Sequence, residues 1–71
     1  MPDPQPTGTA FVEAAKMSCR AKIQEAQAKI TLYFNCAQGV ADHSNVMEEI
    51  LSAAEQGAHA EDVLNFLEKR W

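Results

Sequence analysis

The sequence predicts an all-α fold: an antiparallel two-helix hairpin with a coiled-coil-like seam of small residues, completed as a helical bundle by oligomerisation. Three observations carry this expectation. Two long stretches, about residues 10–38 and 44–70, hold no proline and a single glycine, Gly57. Each stretch repeats apolar residues at alternating spacings of four and three, the signature of a coiled-coil seam. The two seams also match one another when the chain is folded back between them.

The N-terminal residues 1–8, MPDPQPTG, come first. Pro2, Pro4 and Pro6 remove amide donors and bias the residues before them away from helix, so an extended arm is expected. Thr9 suits an N-cap for a helix starting at Ala10, with Glu13 in its first turn to complement the positive helix end. From there alanine, lysine, glutamine and glutamate dominate, all strong helix formers. Glu25 and Lys29 stand four apart in the favourable order, and Gly39 sits where a helix-ending glycine belongs. The seam of this helix reads Val12, Lys16, Cys19, Ile23, Ala26, Ile30, Tyr33, Ala37 and Val40. Lys16 is its one charged member, expected to reach water with its ammonium.

Residues 39–43 form the expected turn. Asp42, Ser44 or Asn45 can cap the second helix, and Asn45 with Glu48 has capping-box spacing. Glu48 and Glu49 suit its positive end, Lys69 and Arg70 its negative end. Its seam reads Val46, Ile50, Ala53, Gly57, Ala60, Leu64, Leu67 and Trp71. Glycine inside a helix costs about 1 kcal/mol. A fresh acidic turn at Glu61-Asp62 leaves one alternative, three helices with a break at Gly57.

Folded back, the seams meet in layers whose residue numbers share one constant sum. Ala37 faces Val46, Tyr33 faces Ile50, Ile30 faces Ala53 and Ala26 faces Gly57. Further out, Ile23 faces Ala60, Cys19 faces Leu64, Lys16 faces Leu67 and Val12 faces Trp71. Ile30 against Ala53 and Ile23 against Ala60 set large opposite small, and Ala26 with Gly57 makes a narrow waist. In a continuous second helix, Gly57→Ala is expected to be mild or stabilising. Across the seam Arg20 can pair with Glu61 or Glu68.

A chain of 71 residues supplies little core, roughly 3–5 kcal/mol below about 70–80 residues. Cys19 and Cys36 fall on the same helix roughly 25 Å apart, too far for a disulfide. The missing stability is therefore expected from partner chains. The candidate partner surface is the apolar set outside the seam. It comprises Met17, Leu32 and Phe34 on the first helix, and Met47, Leu51, Ala54, Ala58, Val63 and Phe66 on the second.

Chemistry is sparse. His43 and His59 have no cysteine or histidine at zinc-site spacing, no nucleophile has a base and an oxyanion donor at hand, and no phosphate-binding glycine loop occurs. No catalysis, metal, cofactor or small-molecule substrate is expected. The expected function is that of a small non-enzymatic protein working through protein–protein association, by homo-oligomerisation or with a heterologous helical partner. Assembly factors, co-chaperones and structural components of larger complexes or particles share such a build. No apolar run approaches a membrane span, no secretory signal opens the chain, and a cytoplasmic location is expected.

Two alternatives belong to other classes. In topology and length the chain resembles the plasmid repressor-of-primer family, dimeric helical hairpins that bind paired RNA loops through their first helices. That resemblance implies an RNA-binding role for the first helix, where Lys16, Arg20, Lys22 and Lys29 gather. A net charge of −4 opposes it. The acids Glu48, Glu49, Glu55, Glu61, Asp62 and Glu68 suggest instead an inhibitor of a basic protein, with solubility as their ordinary explanation.

Overall fold

The computed structural model describes residues 8–36 and 43–71. Helix α1 spans Gly8–Cys36 and helix α2 spans His43–Arg70. At 29 and 28 residues they are nearly equal in length. They pack against each other as an antiparallel hairpin, so both run about 40 Å along one interface. The expected arm, the turn, Gly39, Asp42, Ala37 and Val40 lie outside the described residues.

The helix ends differ from the sequence reading. α1 begins at Gly8, so Thr9 is a helical residue, and Glu13 falls beyond the first turn, which holds no acid. α2 begins at His43, which places Ser44 and Asn45 inside the first turn; Asp42, the expected cap that directly precedes it, lies outside the described residues. Glu48 and Glu49 are likewise past that turn, whereas Lys69 and Arg70 do occupy the last turn. One further bond, Trp71 N–H donating to the Leu67 carbonyl at 2.8 Å, carries the helical pattern to the chain's last residue.

α2 runs unbroken through Gly57, which excludes the three-helix alternative. Gly57 keeps a negative φ and packs at the seam: a Cβ built on it would sit 2.9 Å from the Ala26 Cβ. That closeness puts Ala26 and Gly57 in one layer and fixes the register of the whole hairpin.

Burial follows one row of the seam. Cys19 and Ala26 on α1, and Val46, Ala53 and Ala60 on α2, are buried at seven-residue spacing. The larger members Val12, Ile23, Ile30, Tyr33, Ile50, Leu64 and Leu67 are half-buried. Small residues on the buried row let the backbones approach closely. The larger side chains then overhang the pair, and a two-helix layer covers them from one side only. Among the described residues no large side chain is fully buried.

Two seam positions depart from expectation. Trp71, in the outermost described layer of the seam, is 65 % exposed and not buried against Val12 as its position predicts. Lys16 does not reach open water. It is buried, and its Nζ lies 3.3 Å from Glu13 Oε2. A buried ammonium with a half-exposed partner gains little over an apolar side chain of similar length. Lys16→Met is therefore expected to be neutral or stabilising by up to about 1 kcal/mol. Urea denaturation followed by circular dichroism checks this; a clear loss would show that the ion pair contributes net stability.

Candidate protein interface

The register sorts the exposed apolar side chains onto the two broad faces of the hairpin. On one face the helices are tied by Arg20, whose Nη2 donates to Glu68 Oε2 at 2.9 Å. Arg20 therefore takes Glu68 in preference to Glu61. One and two helical repeats from these residues, the same face carries Phe34 on α1 and Met47, Leu51, Ala54 and Ala58 on α2. Phe34, Met47 and Leu51 are all exposed, and they cluster by register at the end where α1 finishes and α2 starts. Met17 lies at the opposite end of that face, beside the Arg20–Glu68 pair, and is also exposed.

The other face is built differently. An open groove of about 530 Å³ is lined by Cys19, Lys22, Glu25, Gln56, His59, Ala60 and Val63. Toward the chain termini Val63 is followed by Phe66, with the Arg70 guanidinium 3.9 Å from the Phe66 ring centre. That stacking leaves Phe66 about half exposed, and Phe11 is exposed as well. Leu32 lies at the other end, near Tyr33, whose hydroxyl donates to Glu49 Oε2 at 3.3 Å. Phe11 was not among the residues expected from the sequence. Its signal was present, since it stands three heptads before Leu32 at the same helical position.

The cations of α1 are largely engaged within the chain. Lys16 pairs with Glu13, Arg20 with Glu68, and Lys29 with Glu25 at 3.3 Å. Of the four, Lys22 alone has no carboxylate partner among the described residues. Exposed pairs of this kind are weak, typically about 0.2–1 kcal/mol. Glu68→Gln should therefore lower stability by less than about 1 kcal/mol, and the difference should shrink in high salt. A loss that persists in high salt would mean that Glu68 acts through packing.

Among the described residues no group of three or more His, Cys, Asp and Glu could hold a metal. Cys19 is a free, buried thiol. The side chains of Cys36 and His43 lie outside what is described. No described helix is long and apolar enough to cross a membrane. Comparison of the chain with protein-family models, with curated proteins and with solved structures finds no match, so the likeness to repressor-of-primer hairpins rests on topology and length alone.

Proposed function

We propose that this protein works by protein–protein association, as a small non-enzymatic helical hairpin of the kind used by assembly factors, co-chaperones and structural components of larger complexes. One observation carries the reading. Among the described residues, the chain buries only small apolar side chains and Lys16 between its helices and leaves nine large apolar side chains exposed, Phe34 and Met17 most of all. Contiguous exposed apolar surface on so small a protein is expensive to hydrate and ordinarily belongs to an interface. The apolar surplus lies on the broad faces of the hairpin, where a further helix layer would pack.

Size-exclusion chromatography with light scattering, together with binding of a dye that reports exposed apolar surface, tests the reading. The expected result is either an assembly heavier than the 7.8 kDa chain or a monomer that binds the dye strongly. A folded monomer that binds no dye would overturn it.

A further inference from the structure

We infer that the face carrying Phe34, Met47 and Leu51 is a self-association surface whose partner is a second copy of this chain, docked antiparallel about a two-fold axis across the hairpin. The inference rests on the association reading above and adds to it the face, the occupant and the orientation.

Charge selects the occupant. The chain carries a net −4, so two copies repel unless they meet where neither presents charge. On this face, over the half nearest the end of α1, helix α1 presents Gln24, Gln27, Thr31 and Phe34. Helix α2 presents Met47, Leu51, Ala54 and Ala58. None of these is ionisable. The same half of the opposite face, cut at the same level short of Lys22 and Glu61, presents Glu25, Lys29 and Glu49, which a copy of itself would leave desolvated. A neutral patch is complementary to itself, as a two-fold interface requires.

Size selects the orientation. The large side chains of the patch lie toward its outer end and the small ones toward the middle of the hairpin. A two-fold axis perpendicular to the helices sets Met47 of one copy against Ala58 of the other, and Leu51 against Ala54. Large then packs on small at every such step. An axis parallel to the helices would instead stack large on large at the outer end.

Area is adequate. Phe34, Met47 and Leu51 are 74 %, 64 % and 55 % exposed. At the roughly 150–250 Å² of a large side chain, they offer on the order of 350 Å² per copy. With their five smaller neighbours, two copies reach the lower end of the roughly 1,200–2,000 Å² found in stable interfaces.

The test is light scattering and sedimentation of the full chain and four variants, with helicity followed by circular dichroism. The wild type is expected at twice 7.8 kDa. Phe34→Glu and Met47→Glu should each weaken self-association at least tenfold, while Phe66→Glu on the opposite face should leave it unchanged. Met47→Glu combined with Ala58→Lys should restore the dimer, because the new charges meet only between antiparallel copies; within one chain they stand about 16 Å apart. A variant that had merely lost its fold would not be rescued this way. Loss of the dimer by Phe66→Glu and not by Phe34→Glu would overturn the choice of face, and failure of the charge pair to rescue would overturn the orientation. A dye-binding wild-type monomer would overturn the second copy as occupant and leave the association reading standing. A monomer without dye binding would overturn both.

Discussion

Gly57→Ala is expected to destabilise the hairpin, although alanine is the better helix former. The substitution gains about 1 kcal/mol of helix propensity. Against this, its Cβ would lie 2.9 Å from the Ala26 Cβ, closer than carbon atoms in contact allow. Neither atom is the end of a flexible side chain, so relief requires the two backbones to separate. Separation loosens the neighbouring layers, where Ile23 faces Ala60 and Ile30 faces Ala53. Overpacking of this kind costs about 1–3 kcal/mol, which leaves a net loss of roughly 1 kcal/mol. Gly57→Leu, with more atoms to place and no pocket for them, should cost about 3 kcal/mol or more, comparable to all that so small a core supplies. A swap isolates the cause. In an Ala26→Gly background the clash is gone, so Gly57→Ala should become stabilising by up to about 1 kcal/mol. Urea unfolding of the four proteins in this cycle reads the coupling directly. A Gly57→Ala effect that is the same in both backgrounds would show that the waist does not set the helix separation.

That prediction reverses the expectation drawn from the sequence, and the reversal shows what a sequence can and cannot carry. The seam itself was legible. Alternating spacings of four and three depend only on helix geometry, and matching layers depends only on counting residues from a turn. The hairpin and its register at Ala26 and Gly57 follow from those two rules; the continuity of α2 through Gly57 did not, since a break there fitted the sequence too. Clearance was not legible. Whether a methyl group fits at Gly57 depends on a few tenths of an ångström in helix separation, set jointly by Cys19, Ala26, Ala53 and Ala60. Ends were not legible either. The helices begin at Gly8 and His43, two and one residues before the expected starts, a shift of the size by which helix ends fray. The fate of long side chains fell between the two. Arg20 had two acids within reach on α2, and only the rotation of the helices about their axes decides that Glu68 meets it. Lys16 has a side chain long enough to reach solvent, yet a carboxylate three residues before it holds the ammonium at the seam. The surplus of apolar side chains could be recognised from the sequence because it exceeds what one seam accommodates. Its division into an uncharged half-face near the end of α1 and a charged opposite face needed the register.

Thermal stability should depend on protein concentration, and steeply. In an isolated hairpin the buried row consists of Cys19, Ala26, Val46, Ala53 and Ala60, side chains that each remove little apolar area from water. The larger seam residues remain half-buried, so they contribute only part of the roughly 1.5–3 kcal/mol available from a fully buried large side chain. Ordering nearly sixty residues costs far more than such a row returns. If a second copy covers Phe34, Met47 and Leu51, folding and association are linked, and mass action governs the midpoint. A hundredfold rise in concentration adds about 2.7 kcal/mol per dimer. Shared between two chains, with about 4–8 °C per kcal/mol for a domain this small, this should raise the midpoint by roughly 5–10 °C. Calorimetry or dichroism across two decades of concentration measures it. Phe34→Glu should flatten the dependence as well as lower the midpoint, which separates loss of association from a simple loss of hairpin stability. A midpoint independent of concentration in the wild type would mean that the hairpin holds itself together, with its closely approached backbones contributing more than the buried area implies.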